Sequence, residues 1–351
     1  MSKKNSNVQI LKSILINNKK ITETFSLFKA NLKKIIGKNS FTIAVSGGPD
    51  SLALVVLSQL YKYENKNKIF FVLVDHGIRK NSKIESETVK KILKQRGISL
   101  KILTNKEKIS KNIQNSARII RYKLLIDFCK KKKCKFILTG HHSDDQVETF
   151  LIRLSRGSGV QGLSSMSKVT SLFKDIKLFR PLLALKKKDL IIIAKKVFKK
   201  IIKDPSNKNQ KYLRTKIRRI TKILEVNGIS HDQIIRSINN LSSTKDTLNK
   251  YLKHVLSDCL MKNRNEVIIN LNKLSLETSE IKFKVISHGI KIFSKSYYPP
   301  RSKKVINLIN SFNLKKKTKH TLGGCILEQL KGNLIISKER LRKESKNHRY
   351  L

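Results

Sequence analysis

A glycine-rich turn separates two apolar runs near the start of the chain. Phe41 to Val45 form a short, partly β-branched run that predicts a buried strand, and the run from Leu52 to Leu60 repeats apolar residues at helical spacing. The turn between them consists of Ser46, Gly47, Gly48, Pro49, Asp50 and Ser51. Glycines at the start of a helix bring backbone N–H groups and a partial positive charge close to a ligand, so this turn suits a phosphate-bearing anion. An ordinary strand–helix turn, capped by Asp50 or Ser51, explains the turn equally well on its own.

The turn differs from the common phosphate loop of nucleoside triphosphatases, because no Gly-Lys-Ser/Thr follows it. It offers serine hydroxyls, backbone amides and one carboxylate, that of Asp50. A carboxylate repels phosphates unless a cation lies between them, and Mg²⁺ held by one carboxylate and phosphate oxygens is that arrangement. The turn therefore predicts a nucleotide site in which Asp50 binds Mg²⁺.

A second cluster of reactive side chains lies in the stretch 140-GHHSDDQVETFLIRLSRGSGVQGL-163. Acidic residues in the first turn of a helix are ordinary partners of its dipole, and this accounts for Asp144, Asp145 and Glu148. It does not account for His141 and His142 beside them. A zinc site is not indicated, because no H-E-x-x-H occurs. The cluster is a candidate for catalysis.

Two basic stretches contain an aromatic residue at short spacing. Arg118 and Arg121 fall one turn apart on a predicted helix, and Tyr212 precedes Arg214 and Arg218 after a polar turn. A basic helix face is usually only solvated. Arginines beside an aromatic ring are also what contact with RNA phosphates and bases requires, so these residues are candidate RNA contacts.

Strand-like and helical patterns alternate from residue 41 to residue 156. Strands are predicted at 41–45, 68–75, 98–103 and 135–140, and helices at 82–96, 115–132 and 144–156. This alternation predicts an α/β fold, with a parallel sheet and helices on both faces. In such a fold, ligands bind beyond the carboxyl ends of the strands, which is where the polar clusters fall.

The pattern changes character near residue 222, where lysine-rich helical stretches begin. We expect a basic helical extension at 1–35, a catalytic domain at 36–221, a smaller, mainly helical domain with a short β-hairpin at 222–340, and a charged tail at 341–351. We expect the lysine-rich 222–340 domain to bind nucleic acid.

The composition favours a polyanionic partner. The chain of 351 residues has 77 Lys and Arg against 24 Asp and Glu, a formal net charge of +53, and nucleic acid is the leading partner for such a balance. A general lysine bias inflates this total, so it is no count of phosphate contacts. No apolar run approaches the roughly 20 residues that cross a bilayer, which predicts no membrane partner and a cytoplasmic protein. Four cysteines without C-x-x-C spacing predict reduced, unliganded thiols.

Taken together, the motifs resemble the tRNA(Ile)-lysidine synthases, members of the N-type ATP pyrophosphatases, whose fold is adenine-nucleotide α-hydrolase-like and Rossmann-like. The matching pieces, in the family's order, are SGGPDS at 46–51, DHGIR at 75–79, SARIIRY at 116–122, GHHSDDQVET at 140–149, RGSGVQGL at 156–163, RPLL at 180–183 and DPSN…YLRTKIR at 204–218. One departure is Thr215, where the family commonly has asparagine.

The resemblance implies an enzyme that uses ATP and Mg²⁺ to join free L-lysine to C2 of the wobble cytidine of tRNA(Ile) with a CAU anticodon. The cytidine is first adenylated, and the product, lysidine, changes codon reading from AUG to AUA. The implied catalytic residues are Asp145, His141 or His142, and Arg214; a homodimer is left open. The alternatives are another tRNA-modifying ATP pyrophosphatase, such as a 2-thiolation enzyme, and a non-enzymatic basic RNA-binding protein.

Overall fold

The computed structural model describes Gln9, Ser13 and residues 18–78, 81–107, 113–198, 201, 213–294, 302–311 and 318–339. The chain divides into two compact units, Met1–Ser242 and Ser243–Leu351. The division therefore falls after Ser242, whereas the sequence placed it near residue 221.

The first unit is built on a six-stranded sheet. Its strands are Phe41–Val45 (β1), Ile69–Asp75 (β2), Leu100–Thr104 (β3), Phe136–Leu138 (β4), Val169–Phe173 (β5) and Ile176–Phe179 (β6). Their spatial order is β3-β2-β1-β4-β6-β5. All neighbouring pairs are parallel except β5 and β6, which form an antiparallel hairpin at one edge.

Helices connect these strands. The helices are Lys19–Ile35 (α1), Pro49–Glu64 (α2), Ser82–Lys94 (α3), Ile113–Lys132 (α4), Ser143–Leu154 (α5), Val160–Leu163 (α6), Lys187–Val197 (α7), Leu213–Val226 (α8) and His231–Cys259 (α9), the last of which continues into the second unit. None of the helices in the described part of the chain combines the length and hydrophobicity that a bilayer crossing requires.

The sheet is buried on both faces, as its apolar strands require. One face packs against α1, α2, α3 and α7 in a large cluster that contains Phe41, Ile43 and Val45 of β1. The opposite face packs against α4, where Leu125 and Cys129 meet the other sheet residues. The prediction of a parallel sheet with helices on both faces is confirmed, with the antiparallel β5 as an addition at the edge.

The α1 helix belongs to this core rather than to an extension. Asn18 caps it by accepting a hydrogen bond from the backbone N–H of Ile21 at 3.1 Å, and Phe25, Phe28 and Leu32 are buried in the large cluster. The helical spacing of its apolar residues, rather than its basic residues, makes this helix pack against the sheet.

The connections around β1 create a crevice at one end of the sheet. From β1 the chain passes through α2 to β2 on one side, and it later returns through α4 to β4 on the other side. The carboxyl ends of β1 and β4 therefore flank a topological switch point, which is where open α/β sheets bind ligands. This position was predicted from the polar clusters after the strands.

The second unit contains a five-stranded antiparallel sheet. Its strands are Leu260–Lys262 (β7), Glu266–Asn270 (β8), Thr318–Leu322 (β9), Cys325–Leu330 (β10) and Asn333–Lys338 (β11), in the order β7-β8-β11-β10-β9. Its helices are Leu271–Ser275 (α10), Ser279–Phe293 (α11) and Ser302–Ser311 (α12). The predicted hairpin at 320–338 is thus part of a larger sheet, and the unit is a mixture of sheet and helix.

Candidate active site

The glycine turn after β1 is closed by a serine at its far end. Ser51 accepts hydrogen bonds from the backbone N–H and the hydroxyl of Ser46, at 3.2 and 3.1 Å, and donates to the carbonyl oxygen of Gly48 at 3.0 Å. Gly47 has a φ of 82°, a conformation that favours glycine. The turn therefore holds a fixed curve at the N-terminus of α2, where unpaired helix N–H groups attract an anion.

The end of β4 lies directly against this turn at Gly140. A Cβ placed on Gly140 would lie 2.9 Å from the carbonyl oxygen of Asp50 and 3.1 Å from the backbone nitrogen of Ser51. Glycine is needed here for close approach of two backbones rather than for an unusual dihedral angle. The contact joins the two motifs that the sequence placed 90 residues apart.

His142 is the centre of the carboxylate cluster. It is 1% exposed, and its Nε2 lies 3.5 Å from Oδ2 of Asp50 and 3.5 Å from Oδ2 of Asp145. Its Nδ1 lies 3.7 Å from Oδ1 of Asp144. One imidazole thus touches three carboxylates that come from two different motifs.

The charge of His142 is set by these neighbours. Burial alone lowers the pKa of His142, but the carboxylates outweigh this effect and raise its pKa above the ordinary value of 6.5. The hydrogen bond with Asp50 is the largest raising contribution, followed by the charge of Asp145. A protonated His142 offsets part of the negative charge that the three carboxylates bring together.

Asp50 keeps one oxygen for another partner. Its Oδ1 is buried and has no hydrogen-bond partner among the described residues. A carboxylate oxygen in this state, beside a turn suited to phosphate, fits a Mg²⁺ ion bound by one carboxylate and phosphate oxygens.

His141 differs from His142 in both contacts and charge. Its Nδ1 lies 2.8 Å from the hydroxyl oxygen of Thr139, and burial is the main cause that lowers the pKa of His141 to about 4. The charge of Asp145 opposes this shift, whereas three guanidinium groups reinforce it, those of Arg180, Arg214 and Arg118. His141 is therefore a neutral ring that lies among cations.

The two aspartates at the start of α5 have different contacts. Asp145 accepts a hydrogen bond from the backbone N–H of His142 at 3.1 Å, as a capping residue does. Asp144 accepts from the backbone N–H of Lys187 at 3.1 Å and so ties α5 to α7. Asp144 thus has a structural partner outside its own helix, and Asp145 faces the site.

The histidine that follows β2 pairs with an arginine of α4. Nε of Arg121 donates to Nε2 of His76 at 3.2 Å. Burial, reinforced by the charge of Arg121 and opposed by that of Asp75, lowers the pKa of His76 to about 4. Arg118 lies over the ring of Tyr122, with its guanidinium carbon 5.2 Å from the ring centroid. Arg118 and Arg121, both predicted as RNA contacts, therefore lie on α4, and Arg121 contacts the residue that follows β2.

The helix α8 brings a further arginine to the site. Arg214 is exposed, and its charge acts on His141. Arg218 donates through Nε to Oε1 of the buried Glu148 at 2.5 Å. Tyr212, also predicted as an RNA contact, lies outside the described residues. The sequence placed Glu148 in the acidic cluster but gave no sign of its partner.

Hydrogen bonds from two arginines, Arg153 and Arg180, hold the segment after α5. Arg153 donates from Nη1 to the carbonyl oxygens of Gly162 and Ser165, at 2.6 and 2.9 Å. Arg180, which follows β6 and is 5% exposed, donates to the carbonyl oxygen of Ser167 at 2.7 Å. These bonds anchor the chain that follows the glycine-containing turn at 156–159.

Comparison with known proteins agrees with this geometry. A family model described as a PP-loop domain matches residues 18–224. The chain is 34% identical over 306 residues to the tRNA(Ile)-lysidine synthase of Wolbachia pipientis wMel, covering 86% of this chain and 71% of that protein. It is 31% identical over 328 residues to the synthase of Orientia tsutsugamushi (strain Boryong), covering 90% of this chain and 72% of that protein.

The chain belongs to the tRNA(Ile)-lysidine synthase family. The predicted resemblance is confirmed, and the family domain covers all six strands of the first sheet and helices α1 to α7. The fold is also similar to that of the U34-tRNA thiolase NcsA from Methanococcus maripaludis, with a TM-score of 0.53 and 24% identity, over 64% of this chain and 79% of that one. At this identity the likeness concerns the fold alone.

Proposed function

We propose that the protein ligates lysine to C2 of the wobble cytidine of tRNA(Ile) with a CAU anticodon, with cleavage of ATP to AMP and pyrophosphate. The product is lysidine, which changes codon reading from AUG to AUA. The observation that carries this proposal is the contact of His142 with Asp50, because it joins the nucleotide turn to the family's histidine–aspartate motif in one crevice.

In the first step, the C2 carbonyl oxygen of cytidine attacks the α-phosphorus of ATP, and pyrophosphate leaves. The turn from Ser46 to Ser51 would hold the pyrophosphate through its N–H groups and hydroxyls. Asp50 would hold Mg²⁺, which supplies charge neutralisation at the phosphates. Arg214 would stabilise the negative charge that develops at the transferred phosphate.

In the second step, the neutral amine of lysine attacks C2, and AMP leaves with the former carbonyl oxygen. Asp145 would orient the lysine ammonium by charge before it loses a proton. His141, neutral and within the field of three arginines, would contact the substrates, whereas His142 is surrounded by carboxylates. We therefore assign substrate contact to His141 and organisation of the carboxylates to His142.

A 2-thiolation activity is less well supported by the residues. Cys129 and Cys134 lie buried at the end of α4 and just before β4, at the amino end of the parallel strands. The crevice of Asp50 and His142 lies at the carboxyl end. These thiols are therefore placed away from the reacting groups that a sulfur-transfer step would need them to reach.

The testing experiment measures incorporation of labelled lysine into a tRNA(Ile) transcript with a CAU anticodon, together with AMP release. We expect AMP release that depends on the transcript and lysine transfer that depends on ATP. A matched transcript with uridine at the wobble position is the control and should accept no lysine. AMP release without lysine transfer would favour another tRNA-modifying activity, and the absence of both would favour RNA binding alone.

The basic composition suggests how the tRNA is held. We propose that the lysine-rich surface contributes affinity through phosphate contacts, while Arg118, Arg121 and Tyr212 approach the anticodon. The protein would act in the cytoplasm on free L-lysine, as a monomer or a homodimer.

A further inference from the structure

The ion pair of Arg218 and Glu148 joins α8 to α5. Nε of Arg218 lies 2.5 Å from Oε1 of Glu148, and the two residues are 70 positions apart in the chain. Glu148 is 4% exposed, and its second oxygen, Oε2, has no hydrogen-bond partner among the described residues. Removing the cation that pairs with a buried carboxylate is costly, because the charge is then left uncompensated.

The helix α8 has few buried side chains. Among its residues, which are all described, only Ile217 is buried. Ile220, Ile223 and Val226 are exposed, the last of them 88% exposed. The burial of Ile217 and the contact of Arg218, the next residue, both fix the rotation of this helix.

The carboxylates around Arg218 stabilise its positive charge. Burial alone lowers the pKa of Arg218, but the hydrogen bond and charge of Glu148 outweigh it, so its pKa is raised. The charges of Asp145 and Asp50 act in the same direction. Arg218 thus lies within the field of the catalytic carboxylates while its Nε–H is used by Glu148.

Arg214 precedes Arg218 by four positions on the same helix. Side chains four positions apart share one face of a helix, so a rotation that moves one moves the other. The charge of Arg214 lowers the pKa of His141, which places Arg214 at the catalytic edge.

We propose that Arg218 is a positioning residue: by pairing with Glu148 it holds α8 so that Arg214 faces His141. The activity arm of its test rests on the proposed function, whereas the exchange arm does not. This role differs from the RNA contact that the sequence suggested for Arg218, because here the side chain acts within the protein.

The activity arm is a double-mutant cycle of Arg214→Gln and Arg218→Gln. At saturating tRNA, each single variant should slow adenylation at least about 10-fold, because misplacement by about 1 Å costs on the order of 10²-fold in rate. The double variant should match the Arg214→Gln variant within about twofold, since Arg218 acts through Arg214. Arg218→Lys, which keeps the charge, should recover part of the rate. Losses that multiply in the double variant would overturn the proposal.

Lys222→Gln is the matched control, because it removes a cation of the same helix whose side chain is exposed. The Kd for tRNA should change equally in Arg218→Gln and Lys222→Gln. A weaker Kd in Arg218→Gln alone, with a normal rate at saturation, would assign Arg218 to RNA contact and overturn the positioning role.

The exchange arm measures backbone hydrogen exchange at residues 213–226. Arg218→Gln and Glu148→Gln should each speed exchange there by at least about 10-fold, while Lys222→Gln should not. Unchanged exchange in both variants would overturn the proposal. If wild-type protein transfers no lysine, the proposed function fails, but the exchange result still decides whether the ion pair holds α8.

Discussion

Nε2 of His142 lies 3.5 Å from Oδ2 of Asp50, and this contact ties the helix start after β4 to the nucleotide turn after β1. Gly140 allows the two backbones to approach, since any side chain there would meet the carbonyl oxygen of Asp50. The conformation of the glycine turn and the placement of the carboxylates near Asp145 are therefore mechanically linked. A substitution in either motif should alter the geometry of the other.

Asp50→Asn should abolish ATP-dependent activity and leave the fold intact. The amide loses the negative charge through which Mg²⁺ bridges to phosphates, while its size is unchanged. Pyrophosphate release and the melting temperature check this prediction together. Near-normal adenylation by a folded Asp50→Asn protein would contradict the proposal that Asp50 binds Mg²⁺.

Gly140→Ala should weaken ATP binding and destabilise the protein. A Cβ 2.9 Å from the carbonyl oxygen of Asp50 must displace backbone, and overpacking of this kind costs about 1–3 kcal/mol. Isothermal titration with ATP and a thermal melt measure the two effects. Gly159→Ala is the control, because nothing lies within 4 Å of its Cβ position; equal behaviour of the two variants would contradict the close approach.

The elements of this site could be predicted from the sequence, but their partners could not. The apolar run at 41–45, the glycine turn and the cluster at 140–149 follow local rules of period and turn chemistry. The contact of Arg218 with Glu148 spans 70 positions, and no local pattern encodes which carboxylate an arginine reaches. Likewise, β7 and β8 were missed, because such short strands become stable only through pairing: β8 pairs with β11, and β7 pairs with β8.

Binding of tRNA should weaken steeply with salt. Each phosphate that a lysine or arginine neutralises releases a counterion, so a surface that contributes affinity by many such contacts loses several decades between about 50 and 200 mM salt. Titrations of a labelled transcript at several salt concentrations measure the slope. A flat response would contradict the proposal that the basic surface supplies affinity.

His76 should stay neutral at pH values well below those at which a histidine side chain usually becomes protonated. Burial, with the charge of Arg121, lowers the pKa of His76 to about 4 against the opposing charge of Asp75, whereas the unfolded chain titrates near 6.5. Between these values the unfolded state binds the proton and the folded state does not. Stability is therefore lost as pH falls from about 6.5 towards 4.

NMR titration of the His76 ring protons checks this directly. In Arg121→Gln the pKa should rise yet stay below 6.5, because burial is the larger cause. A His76 that titrates near 6.5 in the wild-type protein would show that the ring is solvated, and the pair with Arg121 would lose its support.

Asp145 and Arg214 should act in the reaction rather than in holding the protein together. As a cap, Asp145 accepts from the backbone N–H of His142, and asparagine keeps an oxygen acceptor, so Asp145→Asn should cost about 0.3–1 kcal/mol of stability. If the carboxylate orients the lysine or the adenylate, turnover should fall by orders of magnitude with an almost unchanged melting temperature. Arg214→Ala should behave alike, because an arginine directed at developing phosphate charge matters most in the transition state. Separate measurement of pyrophosphate release and lysine transfer would assign the step, and an Asp145→Asn enzyme that melts early yet turns over normally when cold would return Asp145 to a purely structural role.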